Sequence, residues 1–469
     1  MSHLRLPLIL LGVLAAVQPG ISQQPKAQPL VTSLVTSDVA PLRSVVVLGP
    51  ADDLLSSTYS YYTDQPFGGP IYVDGAETQH ASLVELLRAG GVRTLNVTDL
   101  MESAIRNARK QGMLEQAVAE IFPEQAPRLK SRLDQLTASD LLGRSPELFY
   151  EHNRDKGYLD PLIPQSPAFF YTRDFAVSTP AGLILTNSRM RHRKYEHRLG
   201  RFIFRYADEF KAVPVAFDAE AEGVHCEGGD IIVKDAHTSL MGIENFSDRE
   251  AAQKIAQKLH MDVIGVNMPP ISSFSGVNIE IMHLDTVFNL VDKDKVLTVP
   301  YFFLSKYDKD NPVTRLLKAA NDQPHAKAEK GELEFPSSLN VALESIPKVG
   351  WLVRFEAGTG NATEMGKKLG DYVLEQGYHI IPVGGEQGAL SEEQYINERV
   401  LYELSLQAAN VVQLGPGRVI AYAHNKFTNA AMQQAGIKVE TFEGKYLADM
   451  GGGPHCLTMP LQRGASPGQ

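Results

Sequence analysis

The sequence predicts an α/β fold. Short β-branched apolar runs alternate along it with stretches whose apolar positions recur at helical spacing, and glycine and proline separate the two. Its 469 residues, 43% of them hydrophobic, can bury at least one large core. The formal net charge of -10 would repel a phosphate backbone, so no nucleic-acid partner is expected.

In chain order, residues 1–22 are expected to be a signal peptide: Arg5 lies in a short polar start, Leu6–Val17 is apolar, and Gly20-Ile21-Ser22 offers small residues before Gln23. That predicts a periplasmic or secreted protein. The other reading is an N-terminal extension of a cytoplasmic enzyme, because the basic end is weak and Pro19 crowds the cleavage point. The apolar run falls short of the roughly 20 residues a membrane helix needs, so no membrane span is expected. Residues 23–41, rich in Gln, Pro, Ser and Thr, read as a flexible lead-in to a folded domain over 42–469.

Arg43–Leu48, closed by Gly49-Pro50, reads as a buried strand, and residues 76–91 as a helix ending at Gly90-Gly91. From about 100 to 155, Ala, Leu, Glu, Gln, Lys and Arg dominate, which predicts a helical insertion interrupted near Pro123 and Pro127. Further apolar runs include Ile231–Val233, Val263–Val266, Val287–Val291, Val296–Phe303, Trp351–Phe355, Val411–Leu414 and Val419–Tyr422. Helices are expected at Glu250–Leu259 and Thr363–Gln376, and a solvated loop at Lys327–Glu334. No clean repeat is visible.

Four segments set charged or reactive residues beside turn formers: Tyr171-Thr172-Arg173-Asp174, Glu227-Gly228-Gly229-Asp230, His283-Leu284-Asp285-Thr286, and Gly451 to Cys456. Alone, the Glu227 segment would be read as a capped turn. The period of two sends His283 and Asp285 to one face, with Leu284 on the other. Cys456 follows three glycines, a proline and a histidine, a composition that lets a substrate approach the backbone closely. A cysteine with separately encoded His and acids is a candidate nucleophile, since a nearby imidazole or positive field increases the reactive thiolate. The plainer reading of Cys456 is a small buried hydrophobe. Two cysteines, Cys226 and Cys456, make no disulfide framework, and their scatter lacks the close ligand spacing of structural zinc.

These segments, with Met282–Phe288, Leu414–Gly417 through Thr428-Asn429, and Gly452–Arg463, occur in the order found in arginine deiminases. The chain resembles that family from about Leu42 to Arg463. The resemblance implies a five-fold pseudosymmetric α/β propeller, the pentein-like fold of guanidino-group modifying enzymes, with a helical insertion. It implies Cys456 as nucleophile, His283 as general acid and base, and Glu227 as the carboxylate orienting it. Asp174 and Asp285 match the guanidinium-binding pair, Arg193 a residue holding the substrate's α-carboxylate, and Asp230 a supporting position. Neither metal nor organic cofactor is implied.

The departures lie at substrate recognition. Ala168 stands where the family has asparagine, and Phe246 and Gly451 where it has arginines. The expected reaction is L-arginine to L-citrulline and ammonia through a cysteine amidino-thioether. The alternatives are a deiminase of a modified or peptide-linked arginine or another guanidino compound, an amidinotransferase, and an exported guanidinium-binding protein without turnover.

Overall fold

The computed structural model describes residues 35–50, 72–144, 163, 168–190, 193–269, 281–321 and 343–464. The expected signal peptide, most of the lead-in, residues 145–155 of the helical insertion and the loop Lys327–Glu334 lie outside the described residues.

The apolar run near the start forms the strand Leu42–Val47, nearly all of it buried. It pairs antiparallel with Met459–Arg463 and parallel with Arg93–Asn96, so the two ends of the described chain close one sheet. A similar arrangement of an antiparallel pair and a parallel third strand recurs. Ala176–Thr179 and Gly182–Leu185 form a hairpin, and Val215–Asp218 returns parallel after the helix Lys194–Tyr206. Ile231–Asp235 and Thr238–Ile243 take Asp262–Asn267 after the helix Arg249–Leu259. Phe288–Asp292 and Lys295–Thr298 take His379–Pro382. Val412–Gly415 and Arg418–Tyr422 take Lys438–Phe442 after the helix Lys426–Gln434. A parallel partner cannot be reached through a tight turn, so the crossings are helical and can cover a sheet face.

The strand pairing corrects the expected five-fold propeller. Trp351–Phe355 pairs with the edge of Asp262–Asn267, and Ala362–Lys368 extends it. Among the described residues one sheet therefore has five strands while the other four have three, and none is closed into a barrel or curled. The described fold is α/β with several small, open, mixed sheets. The same pairing corrects the helix expected at Thr363–Gln376: its first half is strand through Lys368, and only Leu369–Glu375 is helical. Backbone pairing with Trp351–Phe355 overrides the helical spacing there.

Between Val97 and Leu141 the regular elements are helical, and the longest, Val97–Lys110, packs on Lys194–Tyr206. Asn96 caps it by accepting from the Thr98 N–H at 2.8 Å. Asn107 donates to the Tyr206 carbonyl, and Ser103 hydrogen-bonds Asp208, which ties this segment to the main body. Among the described residues no helix is long and apolar enough to cross a membrane.

Candidate active site

Each sheet carries a candidate site residue just before its leading strand. Asp174 lies in the helical turn Thr172–Phe175 that enters Ala176–Thr179. Glu227 precedes the turn Gly228–Asp230 and the strand Ile231–Asp235, while His283 and Asp285 flank Leu284 before Phe288–Asp292. Asn410 precedes Val412–Gly415, and Cys456 precedes Met459–Arg463. All six side chains are buried.

Backbone contacts bring these turns together. The Arg173 N–H donates to the Cys456 carbonyl at 3.2 Å, and the Gly229 N–H to Asp174 Oδ1 at 3.0 Å. Two glycines permit this approach: a Cβ on Gly228 would lie 1.9 Å from the Arg173 carbonyl oxygen, and one on Gly229 would lie 2.6 Å from His283 Nδ1. Asp230 accepts from the Ser247 hydroxyl at 2.6 Å and the Leu284 N–H at 3.1 Å, so it braces the histidine segment. Burial pushes its carboxyl up to about 7.

Around the nucleophile candidate, Asn410 makes two contacts. Its Oδ1 accepts from the Cys456 N–H at 3.0 Å, and its Nδ2 lies 3.1 Å from Sγ. Asp285 Oδ2 is 3.6 Å from Sγ and 2.7 Å from His455 Nδ1. Burial, then Asp285 and Asp174, push the Cys456 thiol well above its ordinary value, with Asn410 pulling against them. Without a cation between those acids, the sulfur holds its proton at neutral pH.

His283 faces two acids. Its Nε2 lies 3.2 Å from Glu227 Oε2, an ion-pair contact without good hydrogen-bond alignment, and its Nδ1 lies 3.7 Å from Asp174 Oδ1. Burial alone would lower it, but Asp174, Glu227 and Asp230 outweigh burial and push it up to about 10. Glu227 also accepts from the Ser188 hydroxyl. Against the effect of burial, Arg193 and His283 hold its carboxyl well below the usual range.

Arg193 was expected to meet a substrate carboxylate, yet its guanidinium is committed within the chain. Its Nη1 lies 2.6 Å from Glu227 Oε2 and 3.0 Å from Asp174 Oδ2, and its Nε lies 2.9 Å from Glu196 Oε2. Glu196 accepts in turn from the Ala168 N–H at 2.9 Å, and burial pushes its carboxyl up to about 7. Phe246 is half-buried with its ring edge-on to His283, centroids 4.8 Å apart. Gly451 has a positive φ of 89°, and a Cβ there would meet open space.

The structure thus gathers Cys456, Asp285, His283, Glu227, Asp174 and Arg193, with Asp230 behind them and Ala168 and Phe246 beside them. Sequence reasoning missed Asn410 and Ser188 and left His455 without a role. Asn410 had one signal, a polar residue between the small apolar pair Ala408-Ala409 and the strand-forming Val411-Val412. Cys226 is buried, unpaired, and raised by its burial. Among the described residues one group has metal-ligating spacing, Asp174, Glu227 and His283, and Arg193 already pairs with both of its carboxylates.

The family model described as arginine deiminase matches residues 66–463. The arginine deiminase of Streptococcus uberis is 24% identical over 451 residues, covering 92% of this chain and 97% of that protein. That of Metamycoplasma arthritidis is 24% identical over 449 residues, covering 92% and 96%. Among solved structures, unliganded AgrE aligns with a TM-score of 0.48 at 13% identity over 90% of this chain, which spans only 40% of AgrE. DDAH from Pseudomonas aeruginosa, complexed with citrulline, aligns at 0.45 and 12% over 89% of this chain and 99% of that one. These two likenesses are too weak to carry a functional argument. The sequence relatives, arginine deiminases matched along nearly their whole length, speak against the expectation of a periplasmic or secreted protein.

Proposed function

This chain belongs to the arginine deiminase family, whose members act on guanidino groups, and on that premise we propose that it hydrolyses a guanidino compound through Cys456. The observation that carries the proposal is the convergence of a buried thiol, two flanking acids and an acid-paired histidine. A guanidinium is flat, cationic and rich in N–H donors, so Asp285 and Asp174 can grip it and hold its carbon before the sulfur. Its charge would also offset the acids that keep Cys456 protonated.

In the proposed sequence, the bound cation lets the Cys456 thiol release its proton to solvent, and the thiolate attacks the guanidino carbon. His283 gives a proton to the departing nitrogen, which leaves as ammonia, and the carbon stays on Sγ as a covalent amidino-thioether. His283 then takes a proton from water, whose oxygen adds to the same carbon; the S–C bond breaks, the hydroxyl proton returns to the sulfur, and a ureido product is released. Glu227 orients His283 and stabilises its charged form.

For the substrate, the commitment of Arg193 to Glu227, Asp174 and Glu196 favours a guanidino compound whose far end is not a free α-carboxylate gripped by that arginine. A modified or peptide-linked arginine meets this condition better than free L-arginine. Assays for ammonia and ureido product with L-arginine, agmatine, methylated arginine and peptidyl arginine test the proposal. Turnover of one or more of these is expected, and ammonia from none would overturn it.

A further inference from the structure

His455 precedes the nucleophile and has so far been given no function, although it is fully buried and bonded on both ring nitrogens. Its Nε2 lies 2.8 Å from Arg173 Nη2, and its Nδ1 lies 2.7 Å from Asp285 Oδ2. A guanidinium only donates, so Nε2 must present its lone pair to Arg173. The ring proton is then on Nδ1 and donates to Asp285. A doubly protonated ring would turn an N–H toward Arg173 and is excluded by that contact. Asp38 stands 4.0 Å behind the Arg173 guanidinium and helps hold it in place.

The consequence falls on Asp285. Oδ2 is held by His455, while Oδ1 is buried and has no hydrogen-bond partner among the described residues. An orphaned buried carboxylate oxygen is costly until a donor arrives, and a guanidinium N–H is a suitable one. We propose that His455 is a positioning residue: kept by Arg173 as the Nδ1–H tautomer, it clamps one oxygen of Asp285 so that the other receives the guanidino group of the substrate. This rests on the guanidino-hydrolase reading above and deepens it.

Two measurements test it. In native protein carrying 15N-histidine, His455 must show a protonated Nδ1 and an unprotonated Nε2. A proton on Nε2, alone or together with one on Nδ1, overturns the proposal and needs no variant.

The second measurement compares alkylation of Cys456 by 2-chloroacetamidine, a cationic amidine that loses chloride as the S–C bond forms, with alkylation by neutral iodoacetamide. His455→Asn keeps an N–H near the Nδ1 position, whereas His455→Gln moves its amide out toward Nε2. The amidine-to-iodoacetamide rate ratio is expected to stay within a few-fold of native in the Asn variant and to fall about 10- to 100-fold in the Gln variant, the size of one charge-assisted hydrogen bond. A merely structural role would move both reagents together, and that result overturns the proposal. If the Gln variant does not fold, a folded Asn variant that loses the preference does the same. Should native protein itself show no preference for the amidine, the guanidino-site reading fails, which is a distinct outcome.

Discussion

Arg193 Nη1 lies 2.6 Å from Glu227 Oε2, so a guanidinium belonging to the chain rests on the acid that faces His283. The same nitrogen reaches Asp174, and Nε reaches Glu196, so three buried carboxylates share one cation. Removing it by Arg193→Ala leaves buried negative charge uncompensated, a loss of about 3–5 kcal/mol. The expected outcome is a clearly lower Tm and urea midpoint. Arg193→Lys should recover part of the loss, because it restores the charge without the fork that spans Nε and Nη1. An Ala variant as stable as native would show that the acids are protonated or solvated.

Cys456→Ala should abolish turnover while leaving the fold in place, since alanine fits the buried position and Asn410 keeps its bond to the backbone N–H. Intact-mass spectrometry of a rapidly quenched native reaction should show an amidino adduct on Cys456, absent from the variant. Residual activity in the variant within a factor of about ten of native would remove the cysteine from the mechanism, since loss of a covalent nucleophile costs far more.

His283 sets an alkaline limit to stability. Its folded value of about 10 exceeds the unfolded value of about 6.5, so its contribution is fully present below about pH 6.5 and is lost as pH rises through 10. Two other effects flank that window. Asp230 and Glu196, both held up to about 7 by burial, lose their proton-linked contribution as pH rises from about 4 through 7. Above about pH 8.5 the unfolded thiols begin to ionise while Cys226 and Cys456 stay protonated in the fold, which also favours unfolding. Between about pH 7.5 and 8.5 the slope therefore belongs mainly to His283, at up to ~1.4 kcal/mol per pH unit for one proton. Urea unfolding across that interval should show stability falling in native protein and a flatter profile in His283→Gln. Equal slopes would mean that His283 is already neutral.

What could be read from the sequence followed from local pattern. Asp174, Glu227, His283 and Cys456 stood out because each reactive residue sits beside glycine, proline or a turn at the mouth of an apolar run. Asn410 was hidden because its meaning lies in a contact to Cys456 across 46 positions, and nothing in Ala408-Ala409-Asn410-Val411 encodes that contact locally. Arg193 was placed near the site, but its pairing with Glu227 spans 34 positions and reverses the expected direction of its charge, inward to the acids instead of outward to a ligand. The hairpins were visible as apolar runs, whereas the edge pairing of Trp351–Phe355 with Asp262–Asn267 was not, and it is this pairing that makes one sheet larger than the rest. The expected export rested on a local pattern, Arg5, the apolar run Leu6–Val17 and Gly20-Ile21-Ser22, and the sequence relatives speak against a periplasmic or secreted protein.

Phe246 offers the sharpest test of specificity. Its ring packs edge-on to His283 with centroids 4.8 Å apart, and it stands where the resemblance places an arginine for the substrate's carboxylate. With Arg193 turned to the acids, neither position presents a free cation to an α-carboxylate. Binding at the remote end normally helps orient the reacting carbon, so the missing contact should lower kcat/KM for free L-arginine and not its KM alone. Converting L-arginine to its carboxamide should therefore cost the native protein little, less than about tenfold in kcat/KM, against the 2–5 kcal/mol lost when a buried charged pair is truncated. Phe246→Arg should shift the arginine-to-carboxamide ratio toward free arginine by about tenfold or more. An added cation beside His283 would also lower its pKa, but that effect acts on both substrates and cancels in the ratio. A native protein that strongly prefers free arginine, with a ratio unmoved by the substitution, would show that another cation holds the carboxylate and that Phe246 does not govern the choice.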